Sequence, residues 1–228
     1  MRLSRLIQEI ETIAPVGAVD PEIRTLVHDS RKVVAGSAFV CVAGGKFDGH
    51  LFAQRAVEMG AAAVIAERPL ELPVPVVVVP STRRALARLA LRMQGDPQER
   101  LRMVGITGTN GKTTVSFLVR AILREAGERV GMLGTVGSWV DDERIDDLGL
   151  TTPDPLDLAA SLRRMADAGC TTVVMEVSSH ALDQERVAGL TYAAAAFTNL
   201  SRDHLDYHPD MAHYGATKAR LFAMPGLR

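Results

Sequence analysis

Apolar residues recur along this chain at two periods, and their alternation predicts an α/β fold. At the N-terminus, Leu3, Leu6, Ile7, Ile10 and Ile13 lie three or four residues apart, which predicts an amphipathic helix through MRLSRLIQEIETIAP. SAFVCVAG then reads as a strand, LFAQRAVEMGA as a helix, AAVIAE as a strand and PVPVVVVP as a buried strand bounded by prolines. In STRRALARLALRM, Leu86, Leu89, Ala90 and Met93 share one helix face, Ser81 is the expected N-cap, and Gly95-Asp96-Pro97 is the stop. A first α/β domain over residues 1–97 follows.

A second domain is expected over residues 98–228. It opens with the strand LRMVGIT, a glycine-rich loop and the helix TTVSFLVRAILREAG, with Gly127 as its C-terminal stop. Next come a strand in RVGMLGTV, a polar hairpin in WVDDERID, a helix in PLDLAASLRRMADAG, and strands in TTVVMEV and AAAAFTNL. HYGATKARLF forms the last helix. Strands alternating with helices predict a mainly parallel sheet covered by helices on both faces. The chain ends at FAMPGLR, directly after a helix, so the expected second domain is incomplete.

Composition narrows the function. The 228 residues are 47% hydrophobic and 23% charged, enough for a buried core, and the net charge of −1 gives no general attraction to nucleic acid or anionic lipid. Cys41 and Cys170 lie far apart with no metal-binding spacing, which fits a reduced, cytoplasmic chain. The longest apolar run, near Val74 to Val79, is too short to cross a bilayer, and the first helix lacks a signal-peptide core.

Chemistry concentrates in GITGTNGKTT. Gly108 and Gly111 let backbone N–H groups face a phosphate, Lys112 neutralises it, and Thr113 at the helix start is placed to ligate Mg²⁺. Yet Ile106 stands where the strict G-x-x-x-x-G-K-[ST] pattern has its first glycine. Glu176, closing the apolar strand TTVVMEV, is either a metal-holding carboxylate at the carboxyl edge of the sheet or a surface carboxylate. His204, in NLSRDHLDYH, is a metal ligand or an ordinary histidine, with His208 and His213 as weaker candidates. Lys218 is either a snorkelling lysine or a buried amine with a lowered pKa. In the first domain, HDSR and CVAGGKFDGH offer hydroxyl, guanidinium, amide and lysine groups suited to a diphosphate or sugar.

Together HDSRKV, AFVCVAGGKFDGH, GITGTNGKTT, TTPD, MEVSSHAL with QERV, FTNLSRDHLDYH and YGATKARLF resemble the ATP-dependent Mur ligases. Within that family they are most similar to the MurE branch, which adds the third amino acid to UDP-N-acetylmuramoyl-L-alanyl-D-glutamate in peptidoglycan precursor synthesis. The family shows the same departure at the position of Ile106. The resemblance implies an ATP site over Gly108, Thr109, Asn110, Gly111, Lys112, Thr113 and Thr114, with Lys112 on the phosphates. It implies one Mg²⁺ on Thr113 and Glu176, and a second on His204 and on Lys218 converted by CO₂ to a carbamate. His28, Ser30, Gly45, Lys46 and Phe47 would contact the nucleotide end of the UDP precursor. Thr151, Thr152, Ser178, Gln184 and Arg186 would hold its sugar-peptide end. The incoming residue would be meso-diaminopimelate or another diamino acid such as lysine. The family also carries a third domain that selects that residue, so this chain is expected to bind substrates and to ligate poorly alone. The rival readings are a sister ligase of the Mur or folylpolyglutamate type and a non-catalytic UDP-sugar or nucleotide-binding module.

Overall fold

In the computed structural model, which describes residues 1–13, 19–44, 47–147 and 149–227, the chain divides into two units, Met1–Met93 and Gln94–Arg228. The first runs α1 (Leu3–Leu6), β1 (Thr25–Val27), β2 (Ser37–Val40), α2 (Ala53–Glu58), β3 (Ala61–Ala66), β4 (Val76–Val78) and α3 (Thr82–Met93). Its four strands are parallel and lie in sequence order. Val27, Phe39, Cys41, Ala53, Ala56, Val64 and Ala66 form a core between sheet and helix.

Three local expectations change. The first helix stops at Leu6 because Glu9 adopts a left-handed φ of 67°. Beyond it, the Ile13 amide donates to Val78 O at 2.8 Å, so this stretch runs beside β4 and Ile13 is exposed. Strand β1 had no signal in the sequence, since three residues are too few to show a period. The helix anticipated from Leu51 begins as a 3-10 turn over Gly49–Phe52, with the Asp48 carboxylate accepting from the His50 amide at 3.0 Å. Ser81 does cap α3, its Oγ accepting from Arg84 N at 3.1 Å.

The second unit runs β5 (Arg102–Thr107), α4 (Lys112–Glu125), β6 (Val130–Gly134), β7 (Gly137–Val140), β8 (Glu143–Asp146), α5 (Pro155–Asp167), β9 (Thr172–Glu176), α6 (Ser179–Asp183), β10 (Tyr192–Phe197) and α7 (Met211–Ala219). Its start falls just before the boundary expected after Pro97, and the 3-10 turn Pro97–Arg100 packs on α5. The sheet order is β10-β5-β9-β6-β7-β8; the first four strands are parallel, and β7 and β8 extend it as an antiparallel hairpin. The mainly parallel α/β architecture read from the sequence is present. Because β5 lies between β9 and β10, the loop leaving its carboxyl end emerges beside the ends of both neighbours, the place where open α/β sheets bind ligands.

Candidate functional site

Strand β5 ends at Thr107, and the chain turns at Gly108 with a φ of 137°. A Cβ here would collide with Thr198 Oγ1 and lie 3.1 Å from the backbone of Asn199, so position 108 is where the loop needs glycine. Ile106 sits two residues earlier, inside β5, where it is buried against Val130 and Val174 on the side packed by Val115 and Val119 of α4. The departure from the strict pattern is thus a core residue in the strand. Gly111, with a φ of 80°, is the N-cap of α4 and has open space where a Cβ would be.

The segment after β10 braces the loop from its other side. Thr109 N donates to Asn199 O at 2.9 Å, Asn110 N donates to Asn199 Oδ1 at 3.1 Å, and Thr198 Oγ1 donates to Asn110 O at 2.7 Å. Lys112 folds back over it, Nζ donating to Gly108 O at 3.1 Å and Thr109 O at 2.9 Å. Burial lowers its pKa, against the pull of Glu176 and Asp203.

Glu176 is fully buried at the end of β9. Its Oε2 accepts from Thr113 Oγ1 at 3.0 Å and lies 3.2 Å from Thr135 Oγ1, and its Oε1 accepts from Thr135 N at 3.1 Å. Gly134 makes room for it, since a Cβ there would collide with Glu176 Oε1. Among the described residues, neutral hydroxyls and an amide bond this buried carboxylate, and a hard oxygen set of carboxylate and threonine hydroxyl suits Mg²⁺.

Lys218, on α7, is 1% exposed. Its Nζ donates to Gly108 O at 2.8 Å, the carbonyl that Lys112 also uses, and stands 4.5 Å from the centre of the Tyr214 ring. Burial, then the neighbouring Lys112, brings its pKa down to about 8. Of the two sequence readings, the snorkelling lysine is excluded and the buried amine stands.

The residues expected at the peptide end form a connected row leading to Glu176. Thr152 Oγ1 donates to Glu176 O at 2.9 Å and accepts from Ser178 N at 2.9 Å. Ser178 caps α6 through its side chain. Arg186 donates from Nη1 to Thr152 O at 2.9 Å, and from Nε and Nη2 to Gln184 Oε1 at 3.0 and 2.6 Å. Thr151 Oγ1 lies 3.0 Å from Thr135 Oγ1.

His204 is exposed, in a left-handed φ of 52°, with its ring 4.8 Å from His180 and 6.1 Å from Tyr214. His204 and Lys218 therefore flank one aromatic ring. Among the described residues no three His, Cys, Asp or Glu side chains converge as a metal-binding group. His208 and His213 pair with each other, Nδ1 to Nδ1 at 3.0 Å, and His208 Nε2 meets Ser179 Oγ at 2.9 Å.

In the first unit, His28 leads into Asp29, whose carboxylate caps the 3-10 turn Ser30–Lys32 and pairs with Arg31 at 2.7 Å. Phe47 is exposed, its carbonyl accepting from Gly44 N at 2.8 Å; Gly45 and Lys46 lie outside the described residues. Thr135, Thr198, Asn199 and Tyr214 are site residues that sequence reasoning missed. Each follows a strand or faces inward from a helix, and their partners become visible only through the adjacency of β10, β5, β9 and β6.

Residues 106–227 match the Mur ligase middle domain, and residues 22–94 match the catalytic domain of the Mur ligase family. The chain is 47% identical over 228 residues to a protein of Geobacillus thermodenitrificans named UDP-N-acetylmuramoyl-L-alanyl-D-glutamate--2,6-diaminopimelate ligase; the match covers 100% of this chain and 46% of that one. A solved structure of a ligase with that name superposes with a TM-score of 0.79 at 32% identity, over 100% of this chain and 46% of the other. A MurF ligase from Thermotoga maritima, solved in complex with ADP, gives a TM-score of 0.56 at 25% identity, over 87% of this chain and 43% of that one. The chain therefore spans about half the length of the relatives it matches.

Proposed function

Because this chain belongs to the Mur ligase family, we propose that it binds ATP and UDP-N-acetylmuramoyl-L-alanyl-D-glutamate for ATP-dependent addition of a third amino acid to the D-glutamate. The observation that carries this reading is the convergence of Lys112, Thr113, buried Glu176 and buried Lys218 on one loop at the carboxyl edge of the sheet. The relatives' names favour diaminopimelate as the incoming residue, and the reading places the reaction in peptidoglycan precursor synthesis in the cytoplasm.

A carboxylate is too poor an electrophile for an amine, so the ligation proceeds through an acyl phosphate. Backbone N–H groups from Gly108 to Lys112 and the start of α4 receive the ATP phosphates, and Lys112 trades its two loop carbonyls for phosphate oxygens. Thr113 and Glu176 would hold one Mg²⁺, which supplies the charge neutralisation that lets ATP and a substrate carboxylate approach. Lys218 has the chemistry for carbamate formation, since a pKa brought down to about 8 leaves part of its amine neutral near pH 7.5, and only a neutral amine attacks CO₂. Its carbamate, with His204, would hold a second cation. Thr151, Thr152, Ser178, Gln184 and Arg186 orient the peptide end, with Arg186 facing the D-glutamate carboxylates. His28, Ser30, Gly45, Lys46 and Phe47 belong to the nucleotide end.

Calorimetric titration with the UDP-dipeptide precursor and with the same precursor lacking D-glutamate tests the substrate. We expect tighter binding of the dipeptide form and loss of that preference in Arg186→Ala. Equal binding of the two forms would assign the chain to a sister ligase.

A further inference from the structure

Thr135 joins two parts of the site that the family reading leaves separate. It follows β6 and is exposed, and its single hydroxyl is placed to donate to Glu176 Oε2 at 3.2 Å and to Thr151 Oγ1 at 3.0 Å. Its amide holds the other Glu176 oxygen at 3.1 Å, so both carboxylate oxygens have Thr135 as a partner. We propose that Thr135 is a positioning residue whose hydroxyl couples occupancy of the metal-nucleotide carboxylate, Glu176, to the peptide subsite at Thr151. The inference rests on the ligase reading above.

The coupling follows from a count of protons. A threonine hydroxyl donates one hydrogen bond and accepts up to two, while an ionised carboxylate only accepts. With Glu176 facing protein donors alone, the Thr135 proton points to Glu176 Oε2. Thr151 Oγ1, the other acceptor within reach of that proton, then goes without it, and its hydroxyl is not oriented toward a substrate oxygen.

A cation on Glu176 Oε2 would compete with Thr113 and Thr135 for the lone pairs of that oxygen. Thr135 would then give its proton to Thr151 Oγ1, which orients the Thr151 hydroxyl to donate outward to a carbonyl or carboxylate of the peptide. The geometry of the row requires no backbone movement for this shift, since both contacts are already in place. Each ligand thereby favours the other, and the coupling is reciprocal. Its expected size is the worth of one net hydrogen bond, about three- to tenfold in affinity.

The test is a set of calorimetric titrations of the full chain with the non-hydrolysable analogue AMPPNP and Mg²⁺, with and without saturating UDP-N-acetylmuramoyl-L-alanyl-D-glutamate. The wild-type chain should bind the nucleotide about three- to tenfold more tightly when the precursor is present. Thr135→Val keeps the shape and the amide but lacks the hydroxyl, and should bring that ratio to about one. Thr135→Ser should restore it, which a role in packing alone would not achieve. A ratio unchanged in Thr135→Val, or a wild-type ratio of one with both ligands bound, overturns the inference. Failure of the wild-type chain to bind either ligand would instead overturn the ligase reading, and the inference with it.

Discussion

Individual residues in the phosphate loop have separable costs. Gly108 combines a left-handed φ with a backbone and side-chain wall where a Cβ would be, whereas Gly111 has only the left-handed φ. Gly108→Ala should destabilise the protein by about 2–4 kcal/mol, and Gly111→Ala by about 1–2 kcal/mol. Urea unfolding of the two variants decides the matter, and equal losses would contradict the account. Lys218 makes a second residue-scale prediction. Its pKa of about 8 lies below the ordinary 10.5, so between those values the unfolded chain holds a proton that the folded chain has released. Stability from this group therefore rises with pH from about 8 to 10.5. Chain incubated with ¹³C-bicarbonate should show a carbamate signal that grows as the pH passes about 8 and is missing in Lys218→Met; a lysine titrating near 10.5 would remove the basis for that adduct.

Among the secondary-structure elements, β5 shows why the loop motif departs from its strict form. Ile106→Gly would write the strict glycine pattern and also empty a buried position between β6, β9 and α4. It should cost about 3–5 kcal/mol and gain no nucleotide affinity, because the turn that needs glycine starts at Gly108; a variant of unaltered stability would sink this. Helices α6 and α7 are tied by a histidine system. Burial, with His213 beside it, holds His208 below the ordinary imidazole value, and burial with His204 beside it does the same for His180. The unfolded chain takes up protons that these folded positions refuse, so stability falls as pH drops through about 6.5. Thermal melts at pH 7 and pH 5 should show that fall, and His208→Gln should reduce it. The loop, the long helices α3, α4 and α5 and the strand-end Glu176 were legible because each has a periodic or spacing signal. The three-residue β1, the left-handed break at Glu9 and the short α6 had none. Nor did Thr135 and Asn199, whose roles depend on strands brought together from distant parts of the chain.

At the scale of the whole molecule, the first α/β unit carries a parallel sheet and the second a mainly parallel one, and the second presents its glycine loop, buried carboxylate and buried amine at one sheet edge. The family and the α/β class were legible through motifs spread over nearly the full length. That Glu176 and Lys218 are buried, and not surface side chains, is something a single sequence does not reveal. The account's central claim is that Glu176 sits beside the phosphate loop to make nucleotide binding depend on a divalent cation. Calorimetry with AMPPNP, with and without Mg²⁺, on the wild-type chain and on Glu176→Gln, tests it most directly. The account predicts about tenfold or greater tightening by Mg²⁺ in the wild type, lost in Glu176→Gln. Nucleotide binding indifferent to Mg²⁺, or equally dependent on it in Glu176→Gln, would contradict the claim.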